Sequence, residues 1–403
     1  MVVRKKFKNL RLTNFVKAIG LTNVNEVFIS NGIVIPKPEV SQEADIPSLD
    51  CKDCIIAPGF IDPQVNGLEK CNFWDLHENS FTEIDNLRLK LASCGVVAFC
   101  PTIITAPTEK VIKSIEYINS YIKQTNLSIG ARILGIHIEG IFITKYGVHE
   151  SKYVQKELTV TNIKPFIKEN VILFTLAPEL DRSGEAIKLL QKNNILVSIG
   201  HSNATYKESC NAINSFGLKT VTHMFNSLRG VEGFLHRSSN GESNSDVLRS
   251  KLQDDKKINP DNDGIMLALI KDKNVLCMVI ADGIHVSKDV VKFLRQNKDS
   301  SHFALASDIV SSDFYNLAKS KGMLGGGETT LDRCISNLIN WNVSEIEDCL
   351  LSASKPIARQ LKAACELGLG EILTHKEANL VLWDIKKNAV KGTIIGENAF
   401  LNY

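Results

Sequence analysis

The sequence predicts an α/β fold: a (β/α)8 TIM-like barrel accompanied by a small β-sandwich domain formed from both termini. Three observations carry this expectation. Eight apolar runs of strand length recur along the chain, amphipathic stretches of helical period lie between most of them, and both ends hold β-type segments that do not fit a barrel.

The runs cover residues 55–61, 96–100, 133–138, 172–177, 196–199, 220–222, 275–281 and 303–306. Strands of a parallel sheet covered on both faces read as near-continuous apolar runs, because neither face meets water. Between them, residues 81–94, 109–124, 184–193, 207–216 and 288–296 repeat apolar side chains at intervals of three and four, which gives each a helical face to lay on the sheet. Strand and helix in alternation imply βαβ units, and eight such units imply closure into a barrel. Residues 27–34 and 378–384 read instead as antiparallel β, so residues 1–54 and 375–403 are assigned to the small domain and 55–374 to the barrel. The polar stretch 238–263 lacks either period and reads as a mobile loop.

Composition narrows the function classes. A chain of 403 residues with 44% hydrophobic residues and a formal net charge of +2 describes an ordinary soluble globular protein with ample core. There is no large basic excess to bind nucleic acid, and no apolar stretch long and uncharged enough to span a bilayer, so neither partner is expected. Ten cysteines are scattered through apolar runs, as at Cys94, Cys100, Cys277 and Cys334, which reads as reduced core thiols of a cytoplasmic protein. Cys51 and Cys54 form a close pair without a second pair to complete a zinc site, and they too read as core thiols. Arg4, Lys5, Lys6, Lys8, Arg11 and Lys17 all precede the first acidic residue, Glu26; this charge resembles a transit peptide, but serine is scarce, and a basic surface strand and turn is the favoured reading.

The chemistry lies just past the runs. Glu139, His201, His223 and Asp308 follow the segments ILGIHIE, LVSIGH, TVTH and FALASD, the strand ends where a barrel presents its active site. A carboxylate and two imidazoles suit zinc or a similar divalent ion, and three protein ligands leave a position open for water. A further carboxylate in the same mouth is placed to take a proton from that water. Either histidine alone would ordinarily be a core imidazole satisfied by a carbonyl, and Asp308 alone an N-cap or a buried ion pair. Four such residues, each at a strand end, favour the functional reading.

The segments APGFIDPQVNG (57–67), GIHIEGIF (135–142), GVHE (147–150), IGHSNAT (199–205), THMFNSL (222–228), ADGIHV (281–286) and ASD (306–308) occur in an order that resembles the N-acetylglucosamine-6-phosphate deacetylases of the amidohydrolase superfamily. The resemblance runs from about residue 55 to residue 384; each piece is weak alone and the ordered series is strong. It implies metal-dependent conversion of N-acetylglucosamine 6-phosphate to glucosamine 6-phosphate and acetate. One divalent metal ion per subunit, zinc, would be held by Glu139, His201 and His223, with Asp308 as general base and then general acid and His149 polarising the acetyl carbonyl. Arg237 in LHR, reaching in from the adjacent subunit of a homodimer, and His285 would meet the sugar phosphate. Gln64, Val148, His149, Asn226, Ser227 and the backbone of Leu324, Gly325 and Gly326 are the remaining candidate contacts to this small amino-sugar phosphate.

Many two-metal amidohydrolases carry His-x-His after the first strand. Here the residues are Gln64 and Asn66, and Glu139 stands where a carbamylated lysine would bridge two ions, so a single metal is expected and dihydroorotase-like and dihydropyrimidinase-like readings recede. The chain departs from the family pattern at Ile141, usually proline, in a shorter stretch between Glu139 and His149, in a shorter segment between Asp308 and Leu324, and in the insertion after Arg237. The alternative reading is a non-catalytic relative, or one acting on another N-acyl amino-sugar phosphate such as the galactosamine epimer. Asp308 argues against the non-catalytic form.

Overall fold

The computed structural model describes residues 2–39, 46–77, 80–125, 129–230 and 244–402. Its barrel has eight parallel strands: β1 (Phe60–Val65), β2 (Val96–Ile103), β3 (Ile136–Glu139), β4 (Val171–Leu176), β5 (Leu196–Ile199), β6 (Thr220–Val221), β7 (Leu276–Val279) and β8 (Phe303–Leu305). Each pairs in parallel with the next. The circle closes just beyond β8, where Ile309 bridges Val65 and its carbonyl accepts the N–H groups of Asn66 and Gly67. That seam brings the residues after β1 against Asp308.

The covering helices follow from their sequence period. Thr108–Gln124 buries Val111, Ser114, Ile115, Ile118 and Tyr121, one face of a helix, against the sheet. Tyr206–Asn214 begins with a capping box in which Thr205 and Glu208 each satisfy the other's backbone N–H.

The termini form two sheets that share a core. One runs in the order Val2–Lys6, Asn398–Asn402, Ala389–Ile395, Asn379–Asp384, Cys54–Pro58, Lys17–Ala18, the other Ile33–Ile35, Val27–Ser30, Asn9–Thr13, Ser48–Asp50. Leu12, Val27, Ile29, Val34, Ile56, Leu380, Leu382 and Ile394 fill the space between them, and the free thiols of Cys51 and Cys54 are buried there too. Asn31 and Gly32, with φ of +48° and +75°, make the two-residue turn that a tight hairpin needs. Arg4, Lys5 and Lys6 lie on the edge strand, where charge discourages further pairing. Among the described residues no helix is long and apolar enough to cross a membrane.

Two expectations are corrected. Residues 55–61 were expected as one barrel strand, but Cys54–Pro58 pairs antiparallel with Asn379–Asp384 in the terminal sheet, and the barrel begins at Phe60. An apolar run that is buried throughout cannot show where it changes sheets. Gly59 makes the change possible, because a Cβ there would lie 2.2 Å from Val97 Cγ1. Trp383, fully buried, then packs edge-on against Phe60 across the junction, with ring centroids 6.2 Å apart. The second correction concerns residues 238–263, expected as a loop: Asn244–Gln253 is an α-helix and Asp255–Lys257 a 3-10 turn. The helix buries Leu248 and half-buries Leu252, an i,i+4 pair too sparse to register as a period in a polar stretch. Residues 231–243, Arg237 among them, lie outside the described residues.

The junction yields a stability prediction. Gly59→Ala forces a methyl group into Val97 and is expected to destabilise the fold by about 1–3 kcal/mol. Trimming the neighbour in the double variant Gly59→Ala/Val97→Ala should recover part of that loss, so the two changes should be less than additive in urea denaturation. Strict additivity would show that the close approach carries no strain.

Candidate active site

Glu139 closes β3, while His201, His223 and Asp308 follow just past β5, β6 and β8, all four opening on one mouth of the barrel. His201, His223 and Asp308 have φ of +50°, +26° and +50°. Non-glycine residues rarely adopt this left-handed region, at a cost on the order of 1–3 kcal/mol each, so surrounding contacts have to hold them there.

The first three residues converge. His223 Nε2 lies 2.8 Å from Glu139 Oε1, His201 Nε2 lies 3.5 Å from the same oxygen, and the two Nε2 atoms are 3.1 Å apart. All three side chains are buried. Two imidazole nitrogens facing each other and a carboxylate need a proton or a cation between them. In a tetrahedral site with zinc–nitrogen bonds of about 2.0–2.1 Å the ligand atoms are separated by about 3.3 Å, which the observed distances bracket, so the donor set fits a single divalent ion. Burial opposes ionisation of Glu139, but hydrogen bonds and charge from His201 and His223 outweigh it and hold the carboxyl well below its usual range. Burial likewise lowers His223, yet Glu139 more than reverses this and the net shift is upward.

The turn carrying His201 is tied down from two sides. Its Nδ1 donates to the Lys145 carbonyl at 2.8 Å, leaving Nε2 as a lone-pair donor, and its own carbonyl accepts the N–H groups of Thr144 and Lys145. Glu179, in the turn Pro178–Leu180 after β4, accepts hydrogen bonds from the Thr144 hydroxyl, the Ser202 hydroxyl at 2.7 Å and the Asn203 N–H at 2.8 Å. One carboxylate thus joins the loop after β3 to the loop after β5.

Asp308 is held by the closing seam. Its Oδ1 accepts from Gln64 Nε2 at 2.7 Å and Asn66 Nδ2 at 2.6 Å, and the Thr222 hydroxyl donates to Gln64 Oε1, fixing which way that amide points. Burial, and next the Glu139 charge, push the Asp308 carboxyl up to about 6. Gln64, expected among the substrate contacts, is fully buried and faces Asp308 and Thr222; it does not line the pocket, and Asn66 takes that place. A strand position two residues from a pocket residue points to the same face but sits one layer deeper in the barrel.

The mouth encloses a cavity of about 560 Å³, within the range of small-molecule sites. Val148, His149, Asn226, Ser227, His285, Leu324, Gly325 and Gly326 all line it, with Lys145 and an apolar wall that includes Ile104, Phe225, Val310 and Phe314. His285 Nδ1 pairs with Asp282 Oδ2 at 2.7 Å, while its buried Nε2 finds no partner among the described residues. His149 stacks edge-on against His201 with ring centroids 4.4 Å apart, and its Nδ1 meets the Thr105 hydroxyl at 2.7 Å. Burial, then the two neighbouring histidines, pushes His149 down to about 3, so its ring is neutral. Thr105, Glu179 and Thr222 each lie just past a barrel strand, but a threonine or a lone glutamate there carries no pattern in the sequence that marks it as part of a site.

The family model for the amidohydrolase family matches residues 55–399. A stretch of 187 residues is 37% identical to N-acetylglucosamine-6-phosphate deacetylase of Mus musculus and spans 44% of each chain, less than half of that relative's length. The protein of the same name from Caenorhabditis elegans is 29% identical over 93% of this chain and 90% of its own. Among solved structures, N-acetylglucosamine-6-phosphate deacetylase from Pasteurella multocida superposes with a TM-score of 0.78 at 21% identity, covering 98% of this chain and 100% of that one, a likeness of fold.

The ligand set predicts a proton-coupled metal affinity. His223 and Glu139 must give up their shared proton to bind an ion, and His223 holds it to higher pH than a free histidine. Affinity measured by chelator competition should therefore rise with pH, and go on rising above the ordinary histidine range. His223→Ala should reduce metal content from about one ion per chain to a small fraction of that in elemental analysis. Full metal content in this variant would remove His223 from the ligand set.

Proposed function

The chain belongs to the amidohydrolase family, and from that premise we propose that it is a metal-dependent deacetylase that hydrolyses N-acetylglucosamine 6-phosphate to glucosamine 6-phosphate and acetate. The observation that carries this reading is a buried carboxylate, Asp308, held in the same mouth as the convergent Glu139, His201 and His223. The names of relatives that match along most of the chain support the substrate.

Glu139, His201 and His223 hold the ion, and zinc suits one carboxylate and two imidazoles. When bound, it supplies positive charge that polarises the acyl oxygen and makes water a better nucleophile. Asp308 accepts the proton of the attacking water and returns it to the amine nitrogen as the C–N bond breaks. Gln64 and Asn66 keep its carboxylate aimed at the mouth by occupying Oδ1 and leaving Oδ2 for the proton. His149 donates a hydrogen bond to the acyl oxygen as charge builds there. The sugar phosphate lies toward His285, with Arg237 of a second subunit completing its grip in a homodimer, while Val148, Asn226, Ser227 and residues 324–326 line the sugar. The ten unpaired thiols suit the reducing cytoplasm.

Acetate release from N-acetylglucosamine 6-phosphate by zinc-loaded protein tests the reading. Asp308→Asn keeps the Oδ1 acceptor, so it should retain metal and substrate affinity while losing about 10²–10⁴-fold in kcat. Because the base works only when ionised, kcat/KM should rise with pH through a midpoint at about 6, where burial and Glu139 place the carboxyl, or at a lower pH once a cation offsets that charge, and level off above it. An acid limb centred above neutrality, or undiminished turnover by Asp308→Asn, excludes Asp308 as the base. Arg237→Ala should weaken the phosphorylated substrate by about 1.5–3 kcal/mol and leave unphosphorylated N-acetylglucosamine nearly unaffected. Equal losses for the two sugars would assign the arginine another role.

A further inference from the structure

His149 is useful to the reaction only if the nitrogen facing the pocket carries a proton. A neutral imidazole has one N–H, and which nitrogen holds it depends on what the other nitrogen meets. Here the other nitrogen, Nδ1, meets Thr105 twice: the hydroxyl at 2.7 Å and the backbone N–H at 3.4 Å. An amide N–H can only donate, so it calls for a lone pair on Nδ1. The hydroxyl points the same way: Thr105 Oγ1 accepts the N–H of Ile141 at 2.9 Å, and among the described residues Nδ1 is the one acceptor its own hydrogen meets. A proton on Nδ1 would face the backbone donor directly and leave that hydroxyl hydrogen without an acceptor.

We propose that Thr105 is a positioning residue that holds His149 in the Nε2–H form, and that the Ile141 N–H orients the Thr105 hydroxyl for this task. The chain is built around the contact. Thr105 is buried just past β2, at the start of the second βα loop, and Gly140 is required beside it, since a Cβ at that position would lie 2.1 Å from Thr105 Oγ1 and 2.9 Å from His149 Nδ1. Ile141 has φ of +69° and uses its N–H, and a proline there could do neither, having φ locked near −65° and no donor. The N-terminal half of the loop after β3 thus supplies the donor that sets the hydroxyl, and the C-terminal half supplies the ring that the hydroxyl sets.

The proposal rests on the reading of His149 as the group that meets the acyl oxygen, but its first test does not depend on turnover. Ring-nitrogen NMR of the ¹⁵N-histidine-labelled, zinc-loaded protein, with His149 assigned by its loss in His149→Gln, should show Nδ1 unprotonated and Nε2 protonated. In Thr105→Val, which keeps the shape of the side chain, the Nδ1 signal should move toward the protonated position. Thr105→Val should also lower kcat on the order of 10²-fold with KM within about twofold, the signature of a transition-state contact, and Thr105→Ser should restore kcat to within about threefold of the parent. A wild-type His149 protonated on Nδ1 overturns the proposal whatever the substrate proves to be. So does a Thr105→Val variant whose ring signals and kcat match the parent, or a Thr105→Ser variant as impaired as Thr105→Val. Absence of deacetylation in the parent protein would instead overturn the proposed function and leave the tautomer measurement to judge this inference.

Discussion

Glu139 is almost entirely withdrawn from solvent, and a carboxylate in that position costs several kcal/mol unless opposite charge and hydrogen bonds meet it. His223 and His201 meet it, and no other described histidine or basic side chain makes an ion pair with it. The demand propagates outward. Both histidines must reach the carboxylate from loops after β5 and β6, which puts them in left-handed backbone, and that backbone has to be fixed by neighbours that are themselves fixed. Glu179 and the Lys145 carbonyl do this for His201; Gln64, through Thr222, couples the residue beside His223 to Asp308. The strained turns and the polar contacts among loops are consequences of one buried charge.

Below the mouth the barrel interior is polar but largely uncharged. His137 sits between the hydroxyls of Thr102 at 3.2 Å and Thr175 at 2.8 Å, and burial pushes it down to about 4, so it contributes hydrogen bonds without charge. Asp62 accepts the N–H groups of Gln64 and Ser307, and burial pushes its carboxyl up to about 6. Apart from Asp62, which is ionised above that pH, this layer supports the strand ends through neutral hydrogen bonds. The apolar packing that supplies most of the stability lies outside it, between strands and helices.

The eight-strand architecture was legible because parallel strands advertise themselves as unbroken apolar runs and because the intervening helices bury clean faces. Glu139, His201, His223 and Asp308 were legible for a related reason: in a barrel, position in the chain just after a run is position in the mouth. What escaped reading is equally physical. The run at 55–61 is buried along its whole length whether it serves one sheet or two, and only the missing side chain of Gly59 marks the change. Gln64 and Asn66 are neighbours on one strand face, and sequence does not reveal which of two depths in a barrel a side chain occupies. The helix Asn244–Gln253 anchors through two leucines, too few to show a period. Thr105 acts through one accepted and one donated hydrogen bond and Glu179 through three accepted ones, and threonine or glutamate in a loop is ordinary on composition.

The loops around the mouth form a connected group. The stretch between Glu139 and His149 delivers His149 beside His201 because the chain reverses through left-handed Gly140 and Ile141 and is caught by the Ile141 bond to Thr105. The segment after Asp308 folds directly into the helix Ser312–Ser320, whose Phe314 packs edge-on against Trp74 at 4.9 Å and closes the apolar wall of the cavity with Val310 and Phe225. Gly325 then approaches so closely that a Cβ would lie 2.7 Å from Val148 Cγ1, which brings the backbone after the helix against the residue preceding His149. The two loops therefore lean on each other across the mouth, while Glu139, His201, His223 and Asp308 are anchored on the strand ends beneath them.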